Sequence, residues 1–416
     1  FNLIYLVLPV SLASNMLILM HQVLAGIFMY LYIKHLTRDS FSSFIGAIVF
    51  SLSSAFITRI FAGHITIVCA IAWLPLLFLL VDMAVSEKKS IFILLAGIVL
   101  ALQILSGHIQ IVFISLVALF LYISYVSFNN YRTKLSLKET VYPFYAFMGL
   151  AIFGVGLSAI QILPSLELMK ATIRFNNSIW NQMFSMPPEN IITFFTPGFF
   201  GWIKNGIYWG KWYPWEVGIY VGILPLLLSS FAIIKKDRFS RFFTGLFLLS
   251  MILSLGAYLP INRLVYEYMP GFNLFRANGR FLILGIFSLS VLTSLGCRNL
   301  YNYKYKDTKK SIFVLIFGLA LIFILFSLKF ILIYLPLIWK KILSFIISYD
   351  SLSTHSGYNF GYLYNFISGG QIVNSSLNNS IIWILLSTLL FILCLKYFMV
   401  QESIKHFPIP LRKSLK

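Results

Sequence analysis

Gly63-His64-Ile65-Thr66-Ile67-Val68 and Gly107-His108-Ile109-Gln110-Ile111-Val112 are two copies of one phrase, Gly-His-Ile-x-Ile-Val. Each copy follows a long apolar run and opens another. Glycine permits a tight reversal because it reaches backbone angles that other residues resist. Histidine brings chemistry to that reversal, since it titrates near neutral pH and both donates and accepts hydrogen bonds. Either histidine alone reads more readily as a polar turn residue facing lipid headgroups. Two copies at equivalent turns point to a shared site, with His64 and His108 at one membrane surface.

A second constellation lies in Pro270-Gly271-Phe272-Asn273-Leu274-Phe275-Arg276-Ala277-Asn278-Gly279-Arg280-Phe281. It places Arg276 and Arg280 four residues apart at the mouth of an apolar run, on one face if the turn is helical. A helix N-terminus with two guanidinium forks suits a phosphate or pyrophosphate. Anchoring of headgroups by snorkelling arginines is the equal alternative. Arg59 and Arg263 extend the same positive field. Glu216 begins another apolar run, at a depth where a carboxylate is costly unless paired or used. The helix dipole alone would also stabilise it there. Trp209, Trp212, Tyr213 and Trp215 crowd the loop before it. Such rings stack on sugar faces, and they also form interfacial belts.

No P-loop, dinucleotide fingerprint, zinc spacing or Ser-His-Asp grouping is legible. The three cysteines, Cys69, Cys297 and Cys394, fall singly in apolar runs and suit neither disulfides nor a metal cluster. A divalent metal is admitted by the chemistry, but no residue pattern calls for one.

These residues need a scaffold, and composition names its solvent. The chain is 59% hydrophobic and 11% charged, with a mean hydropathy of +0.88. No soluble domain hides that much apolar surface, so an all-α polytopic membrane protein is expected. Runs of roughly 17–25 apolar residues give about eleven spans, near 12–33, 40–58, 66–85, 91–105, 109–127, 141–163, 216–234, 242–258, 280–297, 311–335 and 380–400. They form a single membrane domain over 1–416. Residues 2–10 are too short to cross and read as an interfacial piece or the tail of an earlier span. The first residue is Phe, with no signal peptide before the first apolar run, so the chain is expected to be a fragment that has lost its N-terminus.

The formal charge of +20 could suggest nucleic acid. Its distribution argues otherwise, because Lys34, Arg38, Lys88, Lys89, Arg132, Lys134, Lys138, Lys235, Lys236, Arg238, Arg241, Arg298, Lys304, Lys306, Lys309 and Lys310 fall on one side of this layout. By the positive-inside rule that side is cytoplasmic, together with the 401–416 tail. The opposite face then carries both Gly-His turns and the loops 164–215 and 336–378, the former expected to hold short interfacial helices.

The ordered set Gly63-His64 … Ala72-Trp73-Leu74-Pro75-Leu76, Ser106-Gly107-His108-Ile109-Gln110, Thr196-Pro197-Gly198-Phe199-Phe200-Gly201, Glu216 … Tyr220-Val221-Gly222-Ile223-Leu224-Pro225-Leu226 and Phe275-Arg276-x-x-x-Arg280-Phe281 resembles the YfhO-like family of bacterial membrane proteins. It covers most of residues 1–300. The resemblance implies a GT-C glycosyltransferase fold. It also implies transfer of a sugar from a polyprenyl-phosphate donor to a glycan, lipid or wall-polymer acceptor, outside the cytoplasmic membrane. In that reading Arg276, Arg280 and Arg59 hold the donor phosphate. Glu216 positions an acceptor hydroxyl or pairs with an arginine, His64 and His108 shape the polar cavity, and Trp209, Trp212, Tyr213 and Trp215 cover the sugar. The chain departs from the family in two ways. The family's catalytic Asp is expected upstream of residue 1, and where many relatives continue into an extracytoplasmic C-terminal domain a basic tail, expected to be cytoplasmic, stands here. A polysaccharide polymerase or ligase is the nearest rival, and a lipid-linked glycan flippase or transporter the rival from another class. Transport predicts ionisable residues at mid-membrane depth, whereas here they gather at the outer ends.

Overall fold

Apolar runs punctuated by glycine, proline and basic residues fold into a bundle of helices in the computed structural model. It describes residues 2–170, 183–202, 207–235, 237–302, 308–339, 341 and 371–405. After a 3-10 turn at Asn2–Leu6 come α1 (Val10–Thr37), α2 (Ser40–Ser51), α3 (Ser54–Phe61), α4 (Ile65–Ala72), α5 (Leu74–Glu87), α6 (Ser90–Leu105), α7 (Ile109–Arg132), α8 (Leu137–Leu157) and α9 (Ala159–Lys170). A loop region carrying the 3-10 helix Pro188–Phe194 leads to the single turn α10 (Pro214–Val217). Then follow α11 (Ile223–Lys235), α12 (Arg238–Leu255), α13 (Ile261–Tyr268), α14 (Leu282–Tyr301), α15 (Thr308–Tyr334) and α16 (Gln371–Lys405). A two-residue antiparallel pair, Gly201–Trp202 with Ile207–Tyr208, is the one strand pairing among the described residues.

The protein is an all-α, multi-pass membrane protein. Nine helical stretches among the described residues are long and apolar enough to cross a membrane. Two further expected spans are shorter. The first, α6, has 16 residues, about 24 Å of rise against a hydrocarbon core of about 30 Å. The second corrects the reading of 216–234 as one helix. Gly218 leaves α10 in an extended conformation (ψ 133°) and Gly222 has a φ of 98°, so the continuous helix starts only at Ile223. Likewise the expected 141–163 span stops at Leu157, and Ser158 separates it from α9. At the other end of the chain, α16 begins at Gln371, so Asn374 and Asn378 belong to a helix rather than to a loop. The residues Tyr358, Tyr362 and Tyr364 of that expected loop, and 406–416 of the tail, lie outside the described residues.

The centre of the bundle is α14, which packs against α2, α11 and α12. In lipid the hydrophobic effect does not drive helices together, so close packing and hydroxyl hydrogen bonds do. Ser229 of α11 and Thr293 of α14 approach to 3.0 Å, and the Ser229 hydroxyl also donates to the Leu289 carbonyl. Tyr32 of α1 stacks on Phe287 of α14, with Phe78 and Phe243 closing round the same ring.

Contacts between helix ends fix which ends lie together. At the basic end Lys88 pairs with Glu139 at 2.8 Å, and the Tyr125 hydroxyl donates to the Arg238 carbonyl. Asp82 of α5 takes hydrogen bonds there from Tyr122 of α7 and from His35 of α1. At the opposite end the amide of Ser54 bonds to the Tyr220 carbonyl and that of Met186 to the Ser254 carbonyl. Both Gly-His turns are at this second end.

Candidate functional site

The two Gly-His copies build the same corner. Gly63 and Gly107 have φ of 72° and 88° and end the preceding helices in left-handed geometry, where a side chain would be strained. His64 and His108 then stand at the N-cap positions of α4 and α7, and neither side chain caps its helix. The imidazoles are therefore left for other work. The corners are neighbours, since a Cβ at Gly107 would sit 3.6 Å from Cγ2 of Thr66 in the first copy.

A buried ion pair stands against these corners. Arg280 grips Glu216 with both edges of its guanidinium, Nε to Oε2 at 2.8 Å and Nη2 to Oε1 at 2.6 Å. Their side chains are 11% and 6% exposed, so this pair is largely withdrawn from water. Arg280 Nη1 donates to Gln110 Oε1 at 2.7 Å and reaches His108 Nε2 at 3.3 Å. The other end of Gln110 donates from Nε2 to the Arg276 carbonyl at 2.5 Å, which fixes the amide's orientation. The one-turn helix α10 delivers Glu216, and the 3-10 turn Asn278–Phe281 delivers Arg280. Gly279 permits the approach: a Cβ there would lie 2.6 Å from the Glu216 carbonyl oxygen.

Arg59 of α3 completes the cluster. It is 2% exposed and donates from Nη1 to the Ala55 carbonyl. It has no ion pair within 4 Å among the described residues. Its Nε is buried without a partner, as is Nδ1 of both His64 and His108. The charges of Glu216 and Arg280 nonetheless act on it. Burial lowers the pKa of His64, and burial with the Arg280 charge pushes His108 down to about 3. Both imidazoles are neutral at pH 7. Burial alone would raise Glu216; hydrogen bonds from Arg280 and the charges of Arg280 and Arg59 outweigh it and keep the carboxyl below its ordinary value.

The other expected site residues divide. Trp215 meets His64 edge-on at 5.9 Å and stacks on the exposed Tyr213 at 4.7 Å, so these two rings flank the cluster. Trp209 and Trp212 are each 6% exposed and pack on Phe199, Phe200 and Phe184. They form the interior of their own loop, which removes them as a sugar-covering surface. Arg276 and Arg280 do not share a helical face. Ala277 between them is left-handed (φ 63°), and the Arg276 guanidinium lies over the Phe184 ring at 5.6 Å. Arg263 is paired with Glu267 on an exposed helix.

Gln110 is a functional candidate that the motifs alone do not single out. Its signal is nonetheless present, as the variable position of the second copy, the second residue of an apolar helix. Among the described residues no group of three or more His, Cys, Asp or Glu side chains could hold a metal ion. No family model matches the chain, and neither a curated protein nor a solved structure does. The likeness to the YfhO-like family thus rests on the ordered motifs alone.

Proposed function

We propose that this protein is a membrane glycosyltransferase of GT-C type, related to the YfhO-like family, which moves a sugar from a polyprenyl-phosphate donor to a glycan, lipid or wall-polymer acceptor. The observation that carries this reading is the convergence of both Gly-His corners on the buried Arg280–Glu216 pair, with Arg59 beside it. Four sequence-distant segments are held together at some expense in desolvation, at the end of the bundle opposite the basic loops. By the positive-inside rule the basic end is cytoplasmic, which puts the cluster on the extracytoplasmic face of a cytoplasmic membrane.

In the reaction, an acceptor hydroxyl oxygen attacks the anomeric carbon. The bond from that carbon to the phosphate oxygen breaks, polyprenyl phosphate leaves with the electron pair, and the proton released by the hydroxyl ends on that phosphate. A cationic, water-poor site stabilises the charge that gathers on the departing phosphate. Glu216, held ionised by Arg280, is suited to orienting a hydroxyl and fixing the guanidinium, not to donating a proton. Trp215 and Tyr213 offer the ring faces nearest the cluster.

The test is turnover of labelled decaprenyl-phosphate sugars by the full-length protein in liposomes. Transfer of the label to an acceptor is expected. Arg280→Lys, which keeps the charge but loses the planar fork, should lower turnover roughly ten- to a hundredfold at equal protein level. Wild-type turnover in that variant, or none from the native protein with any donor, defeats the reading. Joining of preassembled blocks would instead identify a polymerase, and movement of label across the bilayer without transfer a flippase.

A further inference from the structure

A second set of charged side chains lies at the basic end of the bundle, remote from the Gly-His corners. Asp82 stands near the end of α5, inside a stretch apolar enough to cross the membrane. A carboxylate at that depth is costly unless paired or used. Its Oδ1 accepts from the Tyr122 hydroxyl, and its Oδ2 meets His35 Nε2 at 2.8 Å. The two oxygens of a carboxylate offer about four acceptor sites, so Asp82 retains lone pairs for a further donor.

Asp82 and Tyr122 border a cavity of about 330 Å³ between the basic ends of α5, α7, α8 and α12. Lys88 and Glu139, also on its wall, close on each other at 2.8 Å, and Glu139 further takes the Ser136 amide. That pair cancels within itself. Arg238, at the start of α12, borders the same space. Its carbonyl is held by the Tyr125 hydroxyl at 2.9 Å, and its exposed guanidinium forms no ion pair within 4 Å among the described residues. A carboxylate and a guanidinium thus border one cavity without contact between them. Such a lining complements a ligand that carries both an ammonium and a phosphate, rather than a lone cation or a lone anion.

We infer that this cavity binds the headgroup of one phosphatidylethanolamine molecule, its ammonium on Asp82 and its phosphate on Arg238. The inference is independent of the sugar-transfer reading. A primary ammonium brings three N–H donors to the carboxylate, whereas the quaternary ammonium of a choline headgroup brings none. A phosphatidylglycerol headgroup has no cation to meet Asp82. The source is a lipid because the basic helix ends mark headgroup level. Phe128 and Leu137, at the same ends of α7 and α8, stand exposed, as apolar side chains do against a bilayer. The cavity is near the lower bound of about 300–1,000 Å³ for ligand pockets, so it takes a headgroup and leaves the acyl chains outside. Along α8, which walls it, Val141, Tyr145 and Met148 are exposed for those chains to cover. A bound headgroup joins α5 to α12 and braces this end of the bundle.

The experiment takes the full-length protein, delipidated in detergent, and titrates it with dioleoyl phosphatidylethanolamine, phosphatidylcholine and phosphatidylglycerol, and with soluble phosphoethanolamine. Native mass spectrometry counts the bound lipid, and the melting temperature is followed alongside. One phosphatidylethanolamine should bind roughly ten- to a hundredfold more tightly than either other lipid and raise the melting temperature the most. Asp82→Asn should abolish the preference for ethanolamine over choline. Arg238→Gln should weaken both lipids alike, roughly tenfold or more, because both carry the phosphate. Arg238 is exposed, so its variant reads the site even where Asp82→Asn does not fold. Arg132→Gln, at the same end but outside the cavity, should change nothing. Equal affinity for ethanolamine and choline lipids in the native protein overturns the inference, as does a preference that survives in a folded Asp82→Asn. Tighter binding of phosphatidylglycerol, the result if a protonated His35 cancels Asp82, overturns it too. So does unchanged affinity in Arg238→Gln, or an equal loss in Arg132→Gln. Soluble phosphoethanolamine that binds as tightly as the lipid would assign the cavity to a free solute and overturn the lipid assignment.

Discussion

Replacing Glu216 by Gln removes the one buried negative charge of the cluster and leaves its shape nearly unchanged. Arg59 and Arg280 then face each other's charge with no carboxylate between them. The lost attraction between opposite charges about 4 Å apart, at an effective dielectric constant of about 20, is roughly 4 kcal/mol. Breaking a buried pair by deleting one partner typically costs about 3–5 kcal/mol, which agrees. Arg280→Gln is a milder change, because Glu216 still has Arg59 as a counter-charge and the cluster becomes neutral. The structure thus predicts an asymmetry: Glu216→Gln should cost about 3–5 kcal/mol and Arg280→Gln appreciably less. In the double variant the two losses should fall well short of adding. Reversible unfolding of the purified protein in mixed micelles, titrated with denaturing detergent, gives the four corners of the cycle. A loss below about 1 kcal/mol for Glu216→Gln, or a larger loss for Arg280→Gln, would refute the charge count.

Two further outcomes follow from the same geometry. Both histidines have folded pKa values below the ordinary 6.5, so their contribution to stability is complete above that pH. It is lost as the pH falls from 6.5 towards the folded value, about 3 for His108. His108 alone should cost on the order of 2 kcal/mol between pH 6.5 and pH 5. His108→Gln should flatten the melting-temperature profile in that window, and an unchanged slope would contradict the burial of its ring. Gly279→Ala should destabilise by about 1–3 kcal/mol through overpacking against the Glu216 backbone, without altering any charge. An alanine variant that melts like the wild type would show that this contact yields easily.

Periodicity and charge are enough to lay out the bundle, because a lipid solvent imposes long apolar runs and the basic residues mark one set of ends. They fail where a single residue decides whether a helix continues. Gly218, Gly222 and Ser158 divide runs whose hydropathy stays high throughout, and hydropathy does not register backbone angles. The Gly-His corners are legible for the opposite reason, since glycine before a polar residue between two apolar runs has few other uses. The partnership of Glu216 with Arg280 spans 64 positions and that of Gln110 with Arg280 spans 170, distances over which one sequence carries no pairing signal. The arginines stand out as a group in the sequence, but their division of labour is not readable there. It turns on Ala277, whose left-handed backbone separates Arg276 from Arg280.

The two copies of the motif are one local solution put to unequal use. Each supplies a left-handed glycine, a histidine at a helix start and an apolar helix to hold them, so each presents an imidazole at the same end of the bundle. The difference lies in the variable position, Thr66 in the first copy and Gln110 in the second. Gln110 bridges Arg280 to the Arg276 backbone, and so locks the second corner to the segment that carries the ion pair. The first corner has no such bridge among the described residues; its histidine meets the edge of Trp215, and Arg59 lies close to it in sequence. One copy therefore fixes the charged framework, while the other sits next to Arg59 and the aromatic faces at the site's edge.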